Sequence, residues 1–364
     1  MLPSVSAFQL KGSAVSCERY GSGHINESYL VETTTEDAYI LQKINQNVFR
    51  NIPALMQNIS LVTRHLSQKT QDPRRGLTLI PTLEGTDYYI DSAGDCWRMY
   101  DFITDSLCLQ KAESADDFYQ SAVAFGSFQN LLADFPAETL EETIPHFHDT
   151  PSRYAALHRA INADAMGRVP NAAAEIAFAQ AREAESSTMM EMLARGELPL
   201  RVTHNDTKLN NVVLDVQTRQ PLCVLDLDTV MPGLVANDFG DSIRFGASTA
   251  AEDEQDLSKV CFSFDLYKAY VDGFLSACGS RLTSAELRTL PLGAKLMTLE
   301  CGVRFLTDFL SGDTYFHTTR AAQNLDRCRT QFKLVADMEQ QWTEMNDYIT
   351  QAHARLSQSQ AGQE

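Results

Sequence analysis

The sequence predicts an α+β fold in two lobes, and three observations carry that prediction. β-type runs fill the first hundred residues, helical periodicity takes over after about residue 104, and one β-rich island interrupts the helices at residues 200–230. Residues 1–103 are expected to form a small β-rich lobe. Residues 104–364 are expected to form a larger, mainly helical lobe with an embedded hairpin. That order suits a cleft between lobes, a common place for ligands.

In the first lobe, SYLVETT and AYILQKI are alternating strand-type runs on either side of the polar turn TTEDA. Ile52, Leu55, Met56, Ile59, Val62 and Leu66 then recur at helical spacing. LTLIPTLEG, DYYIDSAG and DCWRMYDFI read as further strands. In the second lobe, SADDFYQSAVAFGSFQNLLADF is a helix with acidic residues in its first turn, where the helix dipole favours them. A helix capped by Asn171 is expected to stop at Gly196. Tyr267, Tyr270, Val271, Phe274, Leu275 and Cys278 share one helical face, and Thr283 with Glu286 has capping-box spacing. The polar tail HARLSQSQAGQE is expected to fray.

The chain of 364 residues carries 48 acidic and 30 basic side chains, a formal charge of -18. Such a surface repels polyanions and excludes nucleic acid and anionic membrane as partners. Hydrophobic residues make up 44%, as in a soluble globular protein. The eight cysteines contain no CxxC pair and several sit in apolar runs, which reads as reduced thiols in a cytoplasmic protein. The first twenty residues lack the pattern of a secretory signal, and no apolar run is long enough for a membrane span.

Chemistry concentrates in residues 201–233, RVTHNDTKLNNVVLDVQTRQPLCVLDLDTVMPG. The strands NVVLD and LCVLD flank a polar turn. His204, Asp206, Lys208 and Asn211 stand before or at the first, and Asp226 and Asp228 at or after the second. A hairpin joins its ends, so Asp206, Asn211 and Asp226 are expected to converge. Their hard oxygens suit Mg2+, and one carboxylate remains to take a proton from an attacking hydroxyl.

This HxDxxxxN–strand–turn–strand–Asp pattern resembles the Brenner-type motif of aminoglycoside phosphotransferases, choline kinases and related kinase-like enzymes. The wording THNDTKLNNVVLD, LDLDTVMPG and NDFGDSIR is similar to N-acetylhexosamine 1-kinases. So are GSGHINESYLVE, YILQKINQNVF, WRMYDFI, IPHFHDTPSRY and LECGVRFLTDFLSGDTYF, in that order, over roughly residues 15 to 335.

The resemblance implies a bilobal protein-kinase-like fold that transfers phosphate from ATP, with Mg2+, to the anomeric hydroxyl of a sugar such as GlcNAc or GalNAc. It implies Asp206 as catalytic base, with Asn211 and Asp226 on the metal. His204 would support the loop. Asp228 and Thr229 would lie at the sugar side, or Asp228 would hold a second metal. Gly23, His24 and Asn26 would turn over the phosphates, though the same residues also fit a plain β-turn. Lys43 is the candidate phosphate-gripping lysine, but strand alternation puts Gln42 and Lys43 on opposite faces, so either one faces the nucleotide. Backbone groups from Asp101 to Ile103 would meet adenine. Arg304 and Tyr315 would meet the acceptor; Arg304 alternatively pairs with Glu300 or Asp308. A literal DFG at 238–240 does not hold the metal, because Asp226 occupies that place after the hairpin; Asp238 and Asp241 brace the loop. Kinases for homoserine, choline or an aminoglycoside, and a nucleotide-binding pseudokinase, are the competing readings.

Overall fold

The computed structural model describes residues 2–21 and 25–361. In chain order, β1 (Ala14–Arg19), β2 (Glu27–Thr33) and β3 (Ala38–Lys43) precede α1 (Ile52–Ser67). Then come β4 (Tyr89–Ile90), β5 (Cys96–Asp101), β6 (Ser106–Leu107), α2 (Ala115–Leu131), α3 (Thr150–Ala163), α4 (Ala173–Gln180) and α5 (Thr188–Ala194). After β7 (Arg201–Thr203), β8 (Val212–Asp215), β9 (Pro221–Val224) and β10 (Met231–Gly233), the chain ends in α6 (Val235–Gly246), α7 (Phe264–Cys278), α8 (Ser284–Ser311), α9 (Gln323–Gln340) and α10 (Trp342–Ala361).

Two compact units form. Unit one takes residues 1–108, 134–145 and 212–232; unit two takes 109–133, 146–211 and 233–364. In unit one, β1, β2, β3, β5 and β4 lie side by side in that order, all neighbours antiparallel. One face is apolar, with Val31, Tyr39, Leu41, Trp97 and Met99 packed on Val5, Phe8 and Ile80. β6, β8 and β9 make a second small antiparallel sheet. The Asn51 side chain accepts from the Ala54 amide at 3.2 Å and starts α1. On that helix the fully buried Asn58 carboxamide donates to the Glu141 and Val230 carbonyls (2.8 and 3.0 Å) and accepts from the Glu141 amide (2.9 Å). This one side chain fastens both later chain segments to α1, because a buried amide must satisfy every polar atom.

Unit two is helical. Capping boxes at Ser114/Asp117 and Thr283/Glu286 begin α2 and α8. The shared face read for α7 is buried at all six positions. α6 and α8 touch through glycine. A Cβ on Gly293 would lie 2.1 Å from the Ala236 carbonyl oxygen, and one on Gly240 would lie 2.3 Å from that of Gly293. This approach seats α6 and the acidic residues it presents.

Three elements differ from expectation. LTLIPTLEG is not a regular strand, and meets its neighbours only through the Phe8–Thr82 and Leu79–Tyr100 bridges, since Pro81 cannot donate to a ladder. The helix expected over 171–196 breaks into α4 and α5, and Asn171 does not cap it; Ala172 precedes α4 without a side-chain cap. Of the tail, residues 353–361 continue α10, whose preceding turns dock through Met345, Ile349 and Ala352, and residues 362–364 lie outside the described residues. All eight cysteines are free. Among the described residues no helix is long and apolar enough to cross a membrane.

Candidate active site

In unit two the segment after β7 is held from behind by α6. The Asp238 carboxylate accepts from the backbone amides of His204 (2.8 Å) and Asn205 (2.7 Å) and from Gln129 Nε2 (2.8 Å). Asp241 accepts from the Thr207 amide at 3.1 Å and pairs with Arg244 at 2.9 Å. Thr207 Oγ1 donates to the Asp238 carbonyl (2.6 Å), and Ser242 Oγ donates to the Thr207 carbonyl (2.7 Å). Every neighbour of Asp206 is thereby fixed. Asn205 takes a left-handed φ of 64°, which asparagine tolerates, and this presents the next residue outward. His204 is fully buried edge-on to Phe125 and Phe128, and its Nδ1 accepts from the Asp206 amide at 3.3 Å. It supports the loop.

Asp206 keeps its side chain 25% exposed. Lys208 Nζ lies 2.7 Å from Asp206 Oδ1, and Asn211 Nδ2 donates to the Asp206 carbonyl (2.9 Å) and to Oδ2 (3.3 Å). Burial works against the Lys208 ammonium, but the charges of Asp206 and Asp241 outweigh it and raise its pKa. The structure thus brings Asp206 and Asn211 together. Lys208, given no role from sequence, completes the set.

A second network leads from the same loop to α8. His148 Nδ1 lies 3.2 Å from Glu300 Oε1, and Nε2 lies 3.1 Å from the Asn205 carbonyl; Thr150 Oγ1 donates to Glu300 Oε2 at 2.8 Å. Both partners of the imidazole are acceptors, so only the imidazolium satisfies both. Burial opposes that charge, and Glu300 overcomes the opposition and raises the His148 pKa. Burial likewise opposes the Glu300 carboxylate, and His148 leads in lowering its pKa. The raised His148 contributes stability that is complete below its ordinary 6.5 and lost as pH rises through its folded value. The lowered Glu300 contributes above its ordinary 4.5, and that is lost as pH falls through its folded value. A double-mutant cycle of His148→Gln and Glu300→Gln in urea is expected to give a coupling of about 1–3 kcal/mol at pH 6, falling on the alkaline side. An equal coupling at pH 6 and pH 9 would contradict the imidazolium.

Arg304 pairs with neither Glu300 nor Asp308. Glu300 holds His148 and Thr150, and Asp308 accepts the backbone amides of Thr314, Tyr315 and Phe316, each at 2.9 Å. The Arg304 guanidinium carbon sits instead 5.5 Å from the Phe316 ring centre and 5.9 Å from those of Phe147 and Tyr315. Tyr315 is 71% exposed. Arg153 joins this group: its Nη2 donates to the carbonyls of Phe147 (2.6 Å) and His146 (3.0 Å), while its buried Nε has no partner among the described residues. Burial and the nearby Arg304 lower its pKa. Both His148 and Arg153 stand in the motif IPHFHDTPSRY, but nothing in that string says which later residues they meet.

In unit one, Val212 pairs with Val224 across the hairpin. Asn211 is one residue before the first, and Asp226 two residues after the second. Asp226 adopts left-handed φ 58°, and Thr229 closes the short 3-10 turn that follows. Asp228 is buried, paired with Arg98 through one oxygen and bound by Asn26 Nδ2 at 2.5 Å through the other. Asn26 Oδ1 accepts from the Asn45 amide at 3.0 Å. Lys43 forms an ion pair with Asp95, and Gln42 faces Arg98 on the other side of the sheet. The Asp101 amide donates to the Thr78 carbonyl (3.0 Å) and the Phe102 amide to that of Ala38 (3.0 Å), while the Ile103 amide has no hydrogen bond among the described residues. Gly23 and His24 lie outside the described residues.

Among the described residues no three or more His, Cys, Asp or Glu side chains form a group able to hold a metal. A magnesium nucleotide needs few protein ligands, because the phosphates and water supply most oxygens. Asn211 fits such a role: its amide nitrogen is held by Asp206, and Oδ1 accepts no hydrogen bond among the described residues.

A twisted antiparallel sheet, a braced HxDxxxxN loop and a following Asp-bearing hairpin define a phosphotransferase with the protein-kinase-like α+β fold. Residues 16–266 match the model of the APH phosphotransferase enzyme family, and the chain belongs to that family. It is a small-molecule kinase of the family. Solved structures agree on the fold. A microcompartment-associated aminopropanol kinase is 16% identical, with TM-score 0.58, covering 94% of this chain and 97% of its own. An amicoumacin kinase in complex with AMP-PNP and Ca2+ is 14% identical, with TM-score 0.57, over 90% and 91%. An aminoglycoside phosphotransferase from Alicyclobacillus acidocaldarius is 13% identical, with TM-score 0.55, over 99% and 96%.

Proposed function

We propose that this kinase uses MgATP to phosphorylate the C1 hydroxyl of an N-acetylhexosamine, GlcNAc or GalNAc, in the cytoplasm. One observation carries the choice of acceptor. Arg304, in no ion pair among the described residues and ringed by Phe147, Tyr315 and Phe316, stands with Arg153 close enough to act on Glu300, whose partner His148 reaches the Asn205 carbonyl beside Asp206. Two guanidinium groups suit an uncharged acceptor with a carbonyl and several hydroxyls, and aromatic faces suit a sugar ring. The same pair repels cationic amines such as aminopropanol, ethanolamine, choline or an aminoglycoside.

In this reading residues 1–103 serve the nucleotide, with adenine against the backbone from Asp101 to Ile103, and residues 104–364 serve catalysis and the acceptor. Asn211 and Asp226 would hold Mg2+, which when bound neutralises phosphate charge. Asp206 accepts the C1 hydroxyl proton as that oxygen attacks the γ-phosphorus. The bond to the β,γ-bridging oxygen breaks and ADP leaves. Lys208 and Asn211 hold the Asp206 carboxylate in one orientation, so the base is placed before substrate arrives. Asp228 and Thr229 support the segment that carries Asp226. The structure of the amicoumacin kinase in complex with AMP-PNP and Ca2+ supports a metal nucleotide as co-substrate.

The test is a panel of GlcNAc, GalNAc, glucose, homoserine, choline, ethanolamine and kanamycin with MgATP, read by phosphorus NMR. N-acetylhexosamines are expected to lead in kcat/KM and to give a product with a blocked reducing end. A higher kcat/KM for any cationic acceptor, or a free reducing end in the product, would overturn the assignment.

A further inference from the structure

Lys43, the candidate phosphate-gripping cation on β3, is turned to an acidic partner. Lys43 Nζ lies 2.5 Å from Asp95 Oδ2 and 5.9 Å from the centre of the Trp97 ring, with its side chain 31% exposed. It is spent on one face of the sheet. Gln42 points to the other face, and its strand partner there is Arg98 on β5.

Arg98 is only 1% exposed. Its Nε donates to Gln42 Oε1 at 2.9 Å, and its Nη1 pairs with Asp228. Gln42 is steadied in turn by Ser28 at 3.0 Å, and Asp228 by Asn26 at 2.5 Å. These four side chains hold the guanidinium in one plane. A guanidinium has five N–H donors. Two are used here, and the others, including both on Nη2, meet no acceptor among the described residues. Leaving N–H groups of a buried cation unmatched is costly, so a fixed and enclosed guanidinium with an open edge is built for an acceptor that arrives later. Burial opposes the charge, but Asp228 and then Tyr100 and Asp226 outweigh it, which keeps Arg98 cationic before any ligand enters.

We propose that Arg98, on β5, takes the place of the strand lysine and binds the phosphate oxygens of the nucleotide through its open edge, with Gln42 and Asp228 fixing its plane. The inference rests on the MgATP reading and adds to it a phosphate ligand from a different strand. Lys43 then has a structural role with Asp95.

Isothermal titration of the full-length protein with MgADP and with adenosine tests this, because the ratio of their dissociation constants isolates the phosphate contribution. Arg98→Lys keeps the charge but loses the fork. It is expected to weaken MgADP at least tenfold while leaving adenosine within twofold. Lys43→Ala is expected to leave both within twofold. Should Arg98→Lys fail to fold, judged by its thermal transition, the pairwise neutral variant Arg98→Met with Asp228→Asn removes both buried charges and must show the same selective loss. Unchanged MgADP binding in the Arg98 variants, or a selective loss in Lys43→Ala, overturns the inference and leaves the MgATP reading standing. A wild-type protein that binds adenosine but gains nothing from the phosphates overturns both.

Discussion

Replacing Asp206 by asparagine is expected to lower kcat by roughly 10³-fold while MgADP binding stays within about twofold of wild type. The substitution keeps the size of the side chain and its contact with Asn211, but removes the group proposed to take the acceptor's proton. The fold should survive it. Asp206 keeps part of its side chain exposed while its neighbours are bound: His204 and Asn205 through their amides to Asp238, and Thr207 through its amide to Asp241 and its carbonyl to Ser242. Lys208 retains Asp241 as a second anion, so removal of one carboxylate does not leave a buried ammonium alone. A rapid-quench single turnover with labelled ATP separates chemistry from product release. Single-turnover rates near those of wild type would remove Asp206 from the role of base, whatever the acceptor proves to be.

The geometry of the loop proposed as catalytic was legible because its pattern is local. His204, Asp206, Lys208 and Asn211 fall within eight residues, and their spacing survives any packing around them. The brace was half legible. Asp238 and Asp241 could be set apart from a metal-binding DFG by counting from the hairpin, but Gln129, the third donor to Asp238, lies 109 residues away and has no local signal. Arg98 shows the limit most clearly. Alternation on β3 showed that Gln42 and Lys43 face opposite ways, yet only the pairing of β3 with β5 puts Arg98 beside Gln42, and only the hairpin's return puts Asp228 beside Arg98. The same limit governs Arg304. From its helix it was expected to pair with a carboxylate one turn away or to aim at the acceptor. That it pairs with neither turns on His148 and on the Asp308 loop, which consume both carboxylates. The tail has a related cause: its polar composition suggested fraying, whereas apolar Met345, Ile349 and Ala352 at helical spacing dock the preceding turns of α10.

The second large effect is expected at a residue that touches neither nucleotide nor acceptor. Three donors converge on the two Asp238 oxygens, and an asparagine there offers one oxygen and turns an NH2 group toward at least one of them. Burial raises the Asp238 pKa, so its ionised form is already costly and loss of the charge alone should not destabilise the protein. What the substitution removes is the acceptor geometry. One or two buried N–H groups left unmatched cost about 2–4 kcal/mol, and the urea midpoint of Asp238→Asn should fall accordingly. The catalytic consequence is separate. The His204 and Asn205 amides are the anchors immediately before Asp206, and a shift of about 1 Å at the base is enough to lower kcat by roughly 10²-fold. The KM for ATP should hardly move, because Arg98 and the backbone proposed to meet adenine belong to unit one, and Asn211 is held by Asp206 rather than by this carboxylate. A variant that loses stability but keeps full kcat would show that the loop holds its shape without Asp238. One that loses kcat and KM together would place the brace in nucleotide binding. Only the split between a reduced kcat and a preserved KM is consistent with a carboxylate that acts by fixing the position of another.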